Sequence, residues 1–277
     1  MNVSIDPEAY DYDSDSRLPP ALEELRDVAR NASLLRALVR KDVTVRYKRS
    51  LLGVTWTAAS PLLLLLVLTL AFKSIFKTTP SYPAFVMPGL LLWNLFSQVT
   101  TVIGAETASG MALWKRVRLP KTIMPVSTIV TSLVNLLLIL GPYLVVLAVA
   151  HWPMGWRLLT LLPVVVLLGA FALGVGLALA SLALYFPDVV HLYQTILSAW
   201  FFITPVIYPE STAPSYVKAI FRFNPMARFV EAFRAPLYRN DAATPQQFAI
   251  LAGVALLTLA AGWTLYTHVA DDIPYRS

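Results

Sequence analysis

Cysteine is absent from the 277 residues, which excludes disulfides, cysteine-ligated zinc or iron–sulfur centres and thiol catalysis together. No glycine is followed by lysine, so the phosphate-binding pattern G-x-x-x-x-G-K is missing and the chain cannot hydrolyse ATP by that route. The three histidines stand apart without metal-ligand spacing, and no G-x-S-x-G elbow occurs. We therefore expect no metal, cofactor or catalytic site in this chain, and any transport would need energy from elsewhere.

Charged residues are also scarce: they make up 14% of the chain, whereas about a quarter of the residues in soluble domains are charged. The charges leave six long uncharged blocks, each able to hold a helix of about 20 residues, enough to cross about 30 Å of hydrocarbon. The N–H and C=O groups of a backbone in lipid must hydrogen-bond to one another, which favours helices. No block alternates apolar and polar residues with a period of two, so a membrane β-barrel is not favoured. The sequence predicts an all-α integral membrane protein with six spans, at about 55–72, 85–103, 126–150, 159–183, 193–208 and 248–269.

The distribution of Lys and Arg predicts the orientation of these spans. Nine basic residues precede the first span, and four more lie in the short loop between spans two and three. Because cytoplasmic loops carry the excess of positive charge, we expect both termini in the cytoplasm and the protein in the cell membrane. The predicted organisation is an acidic, polar leader (1–32), an interface helix (33–49), the six-span domain (50–270) and a short cytoplasmic tail (271–277).

The segment Ser33–Arg49 has the pattern of a basic amphipathic helix lying in the cytoplasmic interface. Leucine and valine side chains fall on one side of a helical wheel, and arginine and lysine on the other. Simple anchoring of the next span by positive charge is the alternative. A second basic segment, Trp114–Met124, interleaves four bases with apolar residues, as expected of an element that docks on a cytoplasmic partner, although anchoring also explains its charge.

The outer segment between Pro209 and Gln247 predicts two short helices, about Ser215–Phe223 and Met226–Leu237, broken at Asn224-Pro225. They are too short to span and read as re-entrant or interfacial helices shielded by protein. Glu231 and Arg234 could form an ion pair on the second helix. Asp188 is expected to cap the fifth span.

Two further patterns concern packing and the membrane interface. Small residues repeat every four positions in the fourth span, which predicts close packing in a tight bundle or at a dimer seam. Aromatic residues near span ends are typical of interface belts, and Glu106 reads as interfacial. A denser cluster formed by Phe96, Trp200, Phe201, Phe202 and Tyr208 could line a saccharide path, since sugar rings stack on aromatic faces, although packing against lipid is the alternative.

These features occur in an order that resembles the ABC-2 type permeases that export polysaccharides. The stretch Arg40–Val67 is similar to the family's R-Y-K-x-S-x-L-G-x-x-W pattern at the first span, with an S-P break at Pro61. Further similarities cover Met87–Gln98, Trp114–Ser127, Tyr185–Pro209 and Phe223–Leu237. Two positions depart from the family pattern, because Thr122 replaces an acidic residue and Pro187 replaces a basic one.

The resemblance implies a homodimeric permease that pairs with two copies of a separately encoded ABC ATPase, which would bind the ATP and magnesium. The substrate would be a polysaccharide or teichoic acid on a polyprenyl diphosphate lipid, with no nucleic acid partner. The implied sites are the coupling loop (Lys115, Arg116, Val117, Arg118, Leu119, Pro120, Lys121), the surface where the lipid diphosphate enters (Arg40, Lys41, Arg46, Tyr47, Lys48, Arg49), the aromatic channel lining (Trp56, Phe96, Trp200, Phe201, Phe202, Tyr208) and an external gate (Asn224, Pro225, Glu231, Arg234).

Three other functions remain open at this point. The first is an ABC-2 permease for small hydrophobic or drug-like compounds. The second is a membrane-embedded lipid-modifying enzyme, against which the missing ionisable cluster argues. The third is a structural membrane scaffold, which the matches in the coupling and gate segments do not favour.

Overall fold

The computed structural model describes residues 20–47, 55–72, 81–109, 121–152 and 155–270. These parts of the chain are helical and contain no strand. Four helices are long and apolar enough to cross a membrane, over Tyr82–Ala108, Ile123–Val149, Trp156–Ala183 and Pro245–Val269, and two shorter apolar helices cover Ala59–Phe72 and Val189–Ile203. In chain order the α-helices are α1 Pro20–Arg30, α2 Ala32–Tyr47, α3 Thr55–Phe72, α4 Tyr82–Ala108, α5 Ile123–Val149, α6 Leu161–Ala183, α7 Val189–Ile203, α8 Ser215–Phe223, α9 Pro225–Arg234 and α10 Pro245–Ala270.

Most of these helices coincide with the predicted segments to within a few residues. The fifth predicted span is the exception, because α7 ends at Ile203 instead of continuing to Tyr208. Thr204 and Pro205 follow α7 directly, and a proline has no N–H with which to continue the helical hydrogen bonds. Asp188 occupies the N-cap position of α7 as expected, but its side chain makes no capping hydrogen bond, so that detail was wrong.

The two ends of the bundle can be told apart by their contacts. At one end, the Tyr143 hydroxyl of α5 donates to the Ala84 carbonyl at the start of α4, at 3.1 Å. That carbonyl needs an outside donor because Pro88, four residues on in α4, has no N–H. At the opposite end, Glu24 of α1 accepts from the Thr122 hydroxyl at 3.0 Å, so α1 is attached to the beginning of α5.

Helix α6 lies at the centre of the bundle between α4 and α10. Two of its small residues face different neighbours: a Cβ on Gly174 would meet the backbone of α10 at 2.5 Å, and one on Gly176 would meet Ile103 of α4 at 2.9 Å. An aromatic stack continues this core, since the Phe171 ring stacks with Phe96 at 5.4 Å and with Phe229 of α9 at 5.6 Å. Gly174 and Gly176 therefore pack against helices of the same chain, as predicted for a tight bundle, and not at a dimer seam.

Candidate functional site

The most unusual feature of the fold is the non-helical segment of residues 204–209, which separates α7 from α8. Thr204, Pro205 and Val206 are buried there. The polar groups of buried, irregular backbone require partners from the surrounding protein. Tyr82 and Arg234 donate to its carbonyls, and Asn224 donates to the Thr204 hydroxyl. We call these three side chains the polar clamp.

Arg234, the last residue of α9, provides most of these hydrogen bonds. Its Nη2 donates to the carbonyls of Pro205 and Val206, at 3.1 and 3.0 Å, and its Nε donates to the Phe85 carbonyl of α4 at 2.9 Å. The guanidinium carbon lies 3.8 Å from the centre of the Phe85 ring, a cation–π contact. Only 8% of the residue is exposed, so one buried cation ties the non-helical segment to α4.

Burial lowers the pKa of Arg234 to about 9, because the charged form loses its hydration. The positive charge of Arg239 acts in the same direction, and the negative charge of Glu231 opposes it. Since a pKa of about 9 is above neutral pH, the guanidinium keeps its charge and all its donors under physiological conditions.

Asn224 and Tyr82 hold the two ends of the same segment. The Asn224 amide donates to the Thr204 hydroxyl at 2.9 Å, while its carbonyl oxygen accepts from Trp200 Nε1 at 2.9 Å and from the Met226 N–H at 3.1 Å. This residue therefore caps α9 and joins it to α7. The Tyr82 hydroxyl donates to the Ile207 carbonyl at 2.7 Å.

The predicted ion pair between Glu231 and Arg234 is replaced by other contacts. Glu231 lies 3.5 Å from Arg228 and 3.8 Å from Arg239, both on partly exposed side chains. Spacing along the helix favoured the predicted pair, but Arg234 points into the bundle, where unpaired carbonyls need its donors. Of the predicted gate residues, Asn224 and Arg234 thus meet at the non-helical segment, Pro225 begins α9, and Glu231 lies at the surface.

The predicted aromatic lining divides into a buried and an accessible part. Phe96 is fully buried, with ring contacts to Trp93, Trp200 and Phe171, so its assignment to an accessible lining was wrong. Phe202 is 65% exposed, whereas Trp200, Phe201 and Tyr208 are partly buried. Phe202 and Tyr208 border an apolar cavity of about 490 Å³ between the end of α7 and α8. The side chain of Trp56 lies outside the described residues.

The exposed face of α7 carries a band of polar side chains. His191, Gln194, Thr195 and Ser198 are all exposed and follow helical spacing along one face. Asn94 of the neighbouring α4 is exposed as well. Polar side chains facing lipid are unfavourable, so this face is suited to water or to another protein surface.

The predicted cytoplasmic sites are described only in part. Arg40 and Lys41 are exposed on α2, while Leu38 on its other side is buried with Val28 and Ile123, as an amphipathic helix requires. Val45 is 60% exposed, although the helical wheel placed it on the apolar side. Lys48, Arg49 and Lys115–Pro120 lie outside the described residues, as do the side chains of Arg46 and Tyr47.

Lys121 is the one described member of the predicted coupling loop. Its N–H lies 3.4 Å from a carboxylate oxygen of Glu24, and its carbonyl lies 3.4 Å from the Tyr266 hydroxyl of α10. Thr122, where the resembling family has an acid, also contacts Glu24 through its hydroxyl, at 3.0 Å. An acidic side chain is therefore present at this junction, but α1 supplies it.

Sequence reasoning missed Tyr82, which lies outside the segments that resemble the family, and Thr204, which lies within the similar segment Tyr185–Pro209 but was not singled out there. Each is paired across a sequence distance that local patterns do not encode, for example from Tyr82 to Ile207. Pro205 was the available signal, since a proline within an apolar block leaves backbone groups that other residues must satisfy.

The architecture is that of a helical, multi-pass membrane protein in which a buried non-helical segment follows α7. Residues 33–238 match the ABC-2 type transporter family, and the chain belongs to that family. The chain is 34% identical over 256 residues to the O-antigen export system permease protein RfbA of Myxococcus xanthus, covering 90% of this chain and 96% of that protein.

Two further relatives show the same type of similarity. The O-antigen export system permease protein RfbA of Klebsiella pneumoniae is 25% identical over 243 residues, covering 85% of this chain and 92% of that protein. The polysialic acid transport protein KpsM of Escherichia coli is 26% identical over 243 residues, covering 83% and 91%.

Proposed function

We propose that this protein is the membrane permease of an ABC transporter that exports a polysaccharide linked to a polyprenyl diphosphate lipid. The similarity over nearly the full length to O-antigen and polysialic acid export proteins carries the proposal and favours a polysaccharide over small hydrophobic compounds. The chain contains no G-x-x-x-x-G-K sequence, which supports a separate ATPase subunit, present in two copies for a homodimeric permease.

The proposed topology has six spans, with α3 and α7 added to the four long helices. Helix α7 is short, but the segment that contains it lies along α4. Val190 is next to Gly104 of α4, and Val206 is next to Gly89. That stretch of α4 corresponds to about 22 Å at 1.5 Å per residue, which is most of a hydrocarbon layer. Six crossings would bring both termini to one side, and the nine basic residues before the first span favour the cytoplasm.

The polar band on α7 supports a conducting path between two copies of the chain. In this arrangement the two α7 faces would enclose a hydrated route, with Phe202 and the partly buried Trp200, Phe201 and Tyr208 near its outer part. Arg40, Arg46, Tyr47, Lys48 and Arg49 would receive the lipid diphosphate, since cationic side chains neutralise its charge. Lys41, which was predicted with them, lines a separate cavity beside α2. Lys115–Lys121 would transmit motion from the ATPase, and the polar clamp would hold the outer gate near Asn224, Pro225, Glu231 and Arg234.

Transport by the reconstituted complex tests the proposed function. The permease and its proposed ABC ATPase partner would be placed in vesicles with defined lipid-linked glycans, and glycan reaching the far side would be measured. We expect ATP-dependent transfer of the glycan that requires both subunits. Transfer by the permease alone, or ATP-dependent transfer of hydrophobic compounds but of no glycan, would contradict the proposal.

Removing the polar band should slow transport without unfolding the protein. We expect the double variant Gln194→Leu with Ser198→Leu to reduce glycan transfer about tenfold, because a wetted surface becomes apolar. The control is Leu257→Ile, an exposed apolar position on α10, which should leave transfer unchanged. Normal transfer by the double variant would mean that the α7 face does not border the path.

Neutralising the basic end of the interface helix should impair capture of the substrate. We expect Arg46→Ala with Lys48→Ala to raise the glycan concentration needed for half-maximal transfer, because two positive charges for the diphosphate are lost. Measuring rate against concentration separates capture from turnover. Arg26→Ala, at an exposed position of α1, serves as the control, and an unchanged concentration dependence in the double variant would remove the proposed role.

A further inference from the structure

A polar cavity of about 390 Å³ lies between the interface helix α2 and the long helices α4 and α5. Its wall contains Lys41 and Asp42 from α2, and Glu106 and Gln98 from α4. Helix α5 adds three hydroxyl side chains, those of Thr128, Thr131 and Ser132. Such a concentration of polar groups beside apolar helices needs a polar occupant.

Thr131 provides a second, independent sign of an occupant. The residue is 5% exposed, and its hydroxyl oxygen is buried without a hydrogen-bond partner. Leaving a buried polar atom unpaired is unfavourable, so native structures normally provide it with a partner. Because Thr131 borders the cavity, a ligand in the cavity can supply the missing partner.

The charges of the wall define the chemistry of that ligand. Two carboxyl groups, Asp42 and Glu106, face one ammonium group, that of Lys41. A diphosphate would meet more negative than positive charge here, so this cavity is unsuited to the group proposed to bind along the basic face of α2. A ligand carrying both an ammonium and a phosphate matches the wall, with the ammonium at the carboxylates and the phosphate at Lys41.

The position of the cavity indicates the source of such a ligand. Helix α2 is amphipathic, and the cavity opens beside the last turns of α4, near the end of the bundle where α5 begins. Lipid headgroups occupy this level of a membrane. We propose that the cavity binds the headgroup of a zwitterionic phospholipid with a primary ammonium, phosphatidylethanolamine, as a structural lipid separate from the exported cargo.

The full-length protein in nanodiscs tests this proposal without any transport measurement. Discs would contain equal amounts of phosphatidylethanolamine, phosphatidylcholine and phosphatidylglycerol, and lipids retained by the protein would be identified by native mass spectrometry. We expect phosphatidylethanolamine to be retained about fivefold over the others, because only its primary ammonium can donate several hydrogen bonds to the carboxylates. Equal retention, or preferential retention of phosphatidylglycerol, would overturn the proposal.

Two variants assign the retained lipid to the cavity. Glu106→Gln removes one carboxylate, and Thr131→Val removes the unpaired hydroxyl with little change of shape. We expect each to lower the preference for phosphatidylethanolamine at least about threefold, whereas Glu210→Gln, an exposed acid after the non-helical segment, should not. If Glu106→Gln proves unfolded by thermal denaturation, Thr131→Val carries the same test, and an unchanged preference in a folded cavity variant refutes the assignment.

A competition experiment separates this lipid from the proposed cargo. Farnesyl diphosphate added to the same nanodiscs should leave phosphatidylethanolamine bound, because the cavity wall repels a diphosphate. Displacement of the phospholipid would mean that the cavity is part of the cargo site and would overturn the proposal. The proposed export function stands or falls separately, by the transport assay.

Discussion

Arg234→Met should prevent the accumulation of stably folded protein. The substitution keeps an unbranched side chain but removes every donor, leaving the carbonyls of Pro205 and Val206 without the partner that Arg234 provides. Each buried polar group left unpaired costs about 1–3 kcal/mol, so a loss of about 3 kcal/mol or more is expected, a large part of a typical total stability of about 5–15 kcal/mol. Yield of monodisperse protein and its denaturant midpoint in detergent would measure the effect.

Arg228→Met is the matched control, since it makes the same change in the same helix. Arg228 is partly exposed and pairs with Glu231 at the surface, where an ion pair contributes about 0–1 kcal/mol. We therefore expect nearly normal yield and midpoint. Arg234→Lys should fall between the two, because one ammonium cannot span three carbonyls as the guanidinium does. Equal midpoints for the two methionine variants would show that the polar clamp does not stabilise the fold.

Gly262→Ala should be strongly destabilising, although alanine is the better helix former. A Cβ on Gly262 would collide with the carbonyl oxygen of Gly174, so α6 and α10 would have to move apart. Overpacking of this kind costs about 1–3 kcal/mol or more, which exceeds the gain of up to about 1 kcal/mol from helix propensity. Thermal unfolding in detergent, followed by tryptophan fluorescence, would detect the loss.

Gly253→Ala and Gly141→Ala give the opposite expectation at matched positions. Gly253 lies in the same helix as Gly262, and no atom lies within 4 Å of a Cβ built at either control position. Without a clash, the lower entropy of the unfolded chain should raise stability by about 0.4–1 kcal/mol. Destabilisation by all three alanines would point to a general effect of replacing glycine and not to the contact between α6 and α10.

The positions of the helices were largely predictable from the sequence. Long uncharged blocks cannot leave their backbone polar groups unpaired in lipid, so helices were expected in each of them. The two short helices α8 and α9 were predicted from the Asn224-Pro225 break. The length of α7 was not predicted, because hydropathy does not distinguish a helix from an apolar stretch whose backbone is satisfied by other elements. Residues 204–208 are apolar enough to extend a span, yet they are not helical.

The partners of side chains were predicted less well, as Phe96 and Arg234 show. An aromatic residue in an apolar block has the same sequence signature whether it lines a path or packs in the core, and Phe96 turned out to be fully buried. Arg234 has an acid three residues before it, which makes an ion pair the natural local prediction. The structure gives it carbonyl partners on α4 and in the non-helical segment, because buried donors and acceptors pair wherever the fold brings them together.

The sequence by itself determined that this chain is a bundle of apolar helices with a basic amphipathic segment before the first of them. Composition and spacing suffice for this, since burial in lipid imposes helical hydrogen bonding on every long apolar block. Only the tertiary structure decided which helices the small residues of α6 face, and that Tyr82, Asn224 and Arg234 converge on one non-helical segment. Those outcomes depend on contacts between residues far apart in the chain, and local sequence patterns do not encode which distant groups will meet.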